Sequence, residues 1–334
     1  MLFVRLAAPV GPGETSPDTV AGPLWLADCQ WARRTIHQSV REELGVSGKS
    51  KTVAVVVPLP TGRGLTADEE VSFWHAEQFL SGYDRFLLAP EGMEVERPGY
   101  RVAHFPARYF GDKHRHNRLL ISTLFYEAFA EYEYIFMYHL DALVFSDQLA
   151  EWCARGYDWV APVRFIMETD PPTLEAPVTG GFSLRRVDAF LNVLRSKRRG
   201  LTPLQYWHGA RRESKGPVLA AKALWALAKL VPRFNSVDWE LKRQFLPAGE
   251  DNFWAIRAHL YYPEFNRVPV TEALSFGWGL EPHYCYKLCE GKLPFGCHGW
   301  NRRANREFWI PFLLKDVRSR VLPAGSGWLP RAVS

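Results

Sequence analysis

No apolar run in the 334-residue chain reaches the roughly 18 to 20 residues that a membrane span needs, so no transmembrane helix is expected. Cysteine is sparse as well. Cys29, Cys153, Cys285, Cys289 and Cys297 are odd in number and irregular in spacing, which argues against a secreted disulfide framework and fits a reducing compartment. Internal repeats and low-complexity tracts are missing. The opening Met1–Pro9 has a short apolar run with no basic region before it and no cleavage context after it, so no signal peptide is expected.

An apolar content of 47% over this length is enough for one or two domains with a large core. The formal charge of +5 is unevenly spread, because the stretch from Arg195 to Arg243 is strongly basic and has few acids. Such a segment either meets an anionic partner (a membrane surface, an acidic glycan or a nucleic acid) or is a solvated insertion. Within it, residues 217–232 predict one helix with Lys222 and Lys229 on one side, suited to a bilayer interface or to packing on its own protein.

Short apolar runs alternate with helical periods, the pattern of an α/β domain. Val53–Val57 reads as a buried strand closed by Pro58, and Thr66-Ala-Asp-Glu69 has capping-box spacing for the helix that follows. Strands are also predicted over 86–89, 101–105, 134–138 and 157–162, and one helix over 117–132.

Three places carry candidate chemistry. The strand ending at Tyr138 delivers His139 and Asp141 to its carboxyl end, where ligands bind in open α/β sheets. The alternative for Asp141 is a turn or a helix cap. Gly180-Gly181, beside Ser183 and Arg185, either lets a diphosphate or sugar approach the backbone or forms a tight turn. Glu250-Asp251 opens a helix in which Phe253, Ile256 and Leu260 recur at helical spacing; acids there are ordinary capping groups, or carboxylates kept ionised for base catalysis.

Taken together, Tyr132–Phe145, Gly156–Pro162, Thr179–Arg185, Gly249–Asp251 and Pro294–Trp300 resemble the glycosyltransferases of the GT-A type. More narrowly, they resemble a glycosyltransferase-like family filed as a domain of unknown function. The resemblance implies a Rossmann-like α/β/α sandwich with a mostly parallel central sheet. It also implies transfer of a sugar from a nucleotide-sugar donor, UDP-linked by preference, to a hydroxyl of a glycan or lipid-linked acceptor. Asp141 stands for the last acid of an aspartate-x-aspartate motif, His139 replaces its first acid, and His298 matches a late metal-binding histidine. A divalent metal, Mn²⁺ or Mg²⁺, is implied, although the imidazole of His139 suits Mn²⁺ better than Mg²⁺. By the same resemblance Asp251 is the base of an inverting displacement, a retaining outcome being the alternative, and Glu250 binds acceptor or orients that base. His139, Asp141, Asn117, Gly180, Gly181 and Ser183 would contact donor, and Trp278 the acceptor.

Three alternatives accompany this reading: a nucleotidyltransferase, a non-catalytic carbohydrate-binding or membrane-associated module, and a structural zinc site from Cys285, Cys289, Cys297 and His298. The expected organisation is an N-terminal extension over 1–48, a catalytic domain over 49–315 with a basic helical insertion at about 195–243, and a tail over 316–334. A cytoplasmic protein is expected, peripheral to the inner face of the membrane if the basic segment meets lipid. No nucleic-acid partner is expected.

Overall fold

Val53, Val55 and Val57 face one side of strand β1 (Lys51–Pro58) and Ala54 and Val56 the other, and all five are buried. A strand apolar on both faces can only be stable with a layer on each side. The computed structural model describes residues 51–166, 173–245 and 249–315; the expected extension over 1–48, the tail over 316–334 and Cys29 lie outside them. Parallel to β1 run β2 (Asp84–Pro90), β3 (Arg101–Phe105) and β4 (Tyr132–Tyr138), in the order β3-β2-β1-β4. The chain continues through β5 (Ala142–Val144), β6 (Trp159–Val160), β7 (Val163–Ile166), β8 (Thr173–Pro177), β9 (Phe182–Arg186), β10 (Gly277–Trp278) and β11 (Gly296–His298). Strand β9 returns antiparallel to β4 and carries β6 on its outer edge, which completes a six-stranded central sheet. The other strands form a second sheet in the order β5-β11-β10-β7-β8.

Helices cover both faces. In chain order they are α1 (Ala67–Phe79), α2 (Lys113–Leu120), α3 (Thr123–Ala128), α4 (Leu149–Ala154), α5 (Val187–Leu194), α6 (Pro203–Glu213) and α7 (Gly216–Ala228). Then follow α8 (Val237–Glu240), α9 (Glu250–Ile256), α10 (Ala258–Tyr261), α11 (Val270–Phe276), α12 (Pro282–Leu288) and α13 (Arg303–Trp309). One core joins Val55, Phe136 and Tyr138 to α1, α4, α11, α13 and the second sheet; the other joins Val56, Ile135 and Met137 to α2, α3, α5 and α9. The protein is therefore an α/β sandwich with a parallel-rich central sheet.

The capping box at Thr66 is present. Thr66 Oγ1 accepts from the Glu69 amide at 3.3 Å, while the Glu69 carboxylate accepts from the Thr66 amide at 2.7 Å. Caps of this kind contribute about 1 kcal/mol. The helix expected over 117–132 is instead two. Helix α2 starts earlier, with Asp112 accepting from the Arg115 amide at 2.9 Å, and the Ser122 hydroxyl donates to the Leu119 carbonyl at 2.7 Å where α2 ends. Asn117 consequently lies inside a helix rather than opening one, and Tyr132 begins β4. Of the strand expected over 157–162, only Trp159–Val160 pairs with the central sheet.

The strand order places the functional region. Strands β2 and β3 lie on one side of β1, and β4 on the other, so connections diverge between β1 and β4 and leave a crevice at their carboxyl ends. His139 to Asp141 emerges there.

Candidate functional site

The turn after β4 is held from three directions. The His139 amide donates to the Gly181 carbonyl at 2.8 Å, continuing the antiparallel pairing of Tyr138 with Phe182. The Asp141 carbonyl accepts from the Gly299 amide at 2.7 Å and the Trp300 amide at 3.1 Å, and His298 is in register with Ala142 between β11 and β5. Beneath the turn, the Ser72 hydroxyl donates to the Leu140 carbonyl at 2.9 Å and accepts from the Trp300 indole at 3.0 Å. Residues as far as 228 positions apart in the chain thus support one site.

His139, Asp141 and His298 each offer one ligand atom, and the three atoms lie within 4.8 Å of one another. His298 Nε2 stands 3.2 Å from Asp141 Oδ1, and Arg302 approaches the other carboxylate oxygen at 4.0 Å. Burial acts to raise the Asp141 carboxyl, but the hydrogen bond from His298, with His139 and Arg302 nearby, outweighs it and holds the group well below the usual carboxylate range. His139 is pushed down to about 3, first by burial and then by the neighbouring His116. A neutral imidazole next to an ionised carboxylate is the protonation pattern that a cation requires of its ligands.

The fit to a metal can be tested further on the polar atoms. His139 Nδ1, and not the buried and unpartnered Nε2, is the ring nitrogen that lies with His298 Nε2 against Gly181. Two imidazoles and one carboxylate form a mixed nitrogen-oxygen set that fits a borderline cation such as Mn²⁺ better than Mg²⁺, which prefers oxygen alone. Behind the set, the His116 ring lies 5.4 Å from that of His139; burial lowers His116 to about 4 and its Nε2 also lacks a partner.

Two glycines let the acidic pair reach this cluster. A Cβ on Gly181 would overlap both His298 and His139, and one on Gly180 would press on Glu250 and Asp251. The Gly180 amide donates to Asp251 Oδ2 at 3.3 Å, and the Asn252 amide donates to Asp251 Oδ1 at 3.0 Å. Asp251 is half-buried at the first turn of α9, and Arg164 reaches Asn252 Oδ1 at 3.1 Å beside it.

Glu250 has a different setting. It is 3% exposed and accepts from Arg185 Nη2 at 2.8 Å; Arg185 itself is fully buried and also donates to Ser183 Oγ, the Gly180 carbonyl and Tyr126 Oη. Burial raises the Glu250 carboxyl above its ordinary value, against the pull of Arg185. Arg185 is therefore occupied internally, and neither it nor Glu250 presents a free group to a diphosphate or an acceptor.

Other expected contacts are relocated by packing. Trp278 is 1% exposed, donates its indole N–H to the Leu274 carbonyl at 2.8 Å and packs against Trp309, so no face remains for an acceptor sugar. Ser183 is fully buried, with its hydroxyl spent on the Gly180 carbonyl at 2.7 Å, and Asn117 is 6% exposed. Ser183 thus supports the Gly180 turn from beneath, and the Asn117 Nδ2 is buried without a hydrogen-bond partner. The cysteine set does not assemble: among the described residues the one metal-competent group of three is His139, Asp141 and His298, while Cys285 sits in the middle of α12 and Cys289 caps its end. The open cleft of about 740 Å³ is lined by Glu91 to Glu96 and His104 and by none of these residues.

His116, Arg164, Arg302 and the structural use of Arg185 escaped sequence reasoning. Only the run Gly111-Asp-Lys-His-Arg-His116 hinted at the first, since histidine clusters suggest ligands.

No curated protein matches the chain. Among solved structures, the apo-form glycosyltransferase GlyE of Streptococcus pneumoniae TIGR4 aligns with 81% of this chain at 10% identity and a TM-score of 0.37, and the match spans 63% of that structure. A family model matches residues 99–298, from the start of β3 through His298, and the chain belongs to that family, described as a protein of unknown function (DUF5672).

Proposed function

We propose that the chain is a glycosyltransferase that moves a sugar from a nucleotide-sugar donor, UDP-linked by preference, to a hydroxyl of a glycan or lipid-linked acceptor. The observation that carries this reading is the convergence of two unlike acidic sites on one glycine pair. The metal-competent His139, Asp141 and His298 pack against Gly181, while the half-buried Asp251 accepts from the amide of Gly180. Donor anchoring and base function need to be adjacent and chemically separate, and this arrangement supplies both.

In this reading Asp141, His298 and His139 hold a divalent cation, Mn²⁺ before Mg²⁺, which when bound would supply positive charge to the departing nucleoside diphosphate. Arg302, beside Asp141, and Arg164, bonded to Asn252, add positive charge. Asp251 takes the proton from the acceptor hydroxyl as its oxygen attacks the anomeric carbon, with inversion. Two amide donors keep Asp251 oriented. Glu250 acts through Arg185 as a positioning residue, because their ion pair fixes the start of α9 to β9. The four described cysteines are all free, which supports a cytoplasmic setting.

Nucleotide sugars incubated with the protein and Mn²⁺ test the reading through the product released. Nucleoside diphosphate together with a glycosylated acceptor is the expected outcome. Pyrophosphate would identify a nucleotidyltransferase, and donor binding without any turnover a carbohydrate-binding module.

A further inference from the structure

Helix α7 is inside out. Along its outer side Val218, Leu224, Trp225 and Leu227 are exposed at 52, 70, 47 and 62%, and Leu230 and Val231 continue the surface just beyond its end at 60 and 47%. Lys222 within it and Lys229, which caps its end, turn the other way. Lys222 is half-buried and Lys229 is 4% exposed, with its ammonium 5.7 Å from the centre of the Tyr206 ring on α6. Positions 217, 220, 221, 224 and 228 follow the helical period, and each is Pro, Ala or Leu, so the outward arc carries no charge. With Leu204, the segment over 204–231 holds seven of the eleven large apolar side chains exposed among the described residues. A water-facing helix would show the opposite pattern, lysines out and leucines in.

Charge around this face identifies what covers it. From Arg195 to Asn235 the chain has ten Lys or Arg and one acid, Glu213, while the remainder carries 31 basic against 35 acidic residues. Arg211, Arg212 and Lys215 are exposed immediately before α7, and Arg233 is exposed immediately after it. The apolar arc is thus rimmed at both ends by cations, the complement of an acyl layer beneath anionic headgroups. Thirteen residues make a helix about 20 Å long, too short to cross a bilayer but long enough to lie in its surface. Trp225, whose ring meets Phe234 and Trp239 at its base, is the residue type enriched at that depth.

We infer that the α6–α7 hairpin is a membrane-docking element, with α7 lying flat in the surface of an anionic bilayer and Leu224, Trp225 and Leu227 inserted. This goes beyond the transfer reading and stands without it. Placed between β9 and Gly249, the hairpin would hold the glycine-pair site close to a lipid surface.

Vesicle flotation of the full chain tests it, using phosphatidylcholine alone and phosphatidylcholine mixed with phosphatidylglycerol. The protein should float with the mixed vesicles, and less so as salt rises. Leu224→Ser with Leu227→Ser should weaken flotation by roughly tenfold or more while leaving Tm unchanged, because both side chains already face water. Arg211→Glu with Arg212→Glu should weaken binding to mixed vesicles selectively. No flotation on mixed vesicles, or unchanged flotation of the leucine variant, overturns the proposal. So does a dimer in solution that the leucine variant dissolves, since a second copy would then cover the face. A donor-induced rise in Tm without vesicles reports on the transfer reading alone.

Discussion

Arg185 and Glu250 form an ion pair at 2.8 Å in which neither side chain is more than 3% exposed, and it ties the middle of β9 to the first turn of α9. Removing one partner leaves an unpaired buried charge. Either Arg185→Met or Glu250→Leu should therefore cost on the order of 3 to 5 kcal/mol in urea unfolding, and the double variant should recover part of that loss. Equal losses in single and double variants would show that the pair contributes by packing alone.

Asp251→Asn keeps an acceptor oxygen for one of the two amides that Asp251 serves, that of Asn252 or that of Gly180, but loses the basic carboxylate. Transfer should fall by roughly 10²- to 10⁴-fold with Tm and donor affinity held. A variant with wild-type turnover would remove Asp251 from the base role.

Gly181→Ala drives a methyl into the rings of His139 and His298. The wild type, titrated with Mn²⁺ to about a hundred times Kd, should gain about 2.7 kcal/mol of stability. In Gly181→Ala that gain should disappear, as it should in His298→Ala, whereas the metal-free proteins stay folded. Differential scanning calorimetry with and without Mn²⁺ measures it.

His75 is fully buried in α1, donating through Nδ1 to the Val144 carbonyl at 2.9 Å while Nε2 accepts from the Leu314 amide at 3.3 Å, which fixes the neutral form. Burial lowers it from the ordinary 6.5 to about 4, against the raising effect of Val144. A depressed folded pKa means that the unfolded chain binds the proton first, so stability present above about pH 6.5 is lost as pH falls toward 4. The loss is on the order of 3 kcal/mol. His116 and His139 titrate in the same direction, so the check is a difference: the stability gap between wild type and His75→Gln should shrink from pH 7 to pH 5.

Much of the central sheet was legible because β-branched and apolar runs such as Val53–Val57 and Arg101–Phe105 are short and bounded by turn residues. The capping box at Thr66 was equally plain, being a purely local pattern. Local pattern misled at Asn117–Tyr132, where a continuous helical period hides the break at Ile121 and Ser122. Nor does local pattern say how deep a tryptophan sits: Trp278 is sealed in the core and Trp225 faces out.

The amino-acid sequence by itself determined which segments alternate as strand and helix, where the basic charge concentrates, and that His139, Asp141, Gly180-Gly181, Glu250-Asp251 and His298 fall in one order along the chain. Those are properties of composition and short-range periodicity. Tertiary structure alone decided the division between Glu250 and Asp251, neighbours of the same chemical type. One is closed inside against Arg185, and the other is left half-buried beside Gly180. It also decided which way α7 turns its leucines, because that depends on what the opposite side of the helix packs against, and no pattern within the helix contains that partner.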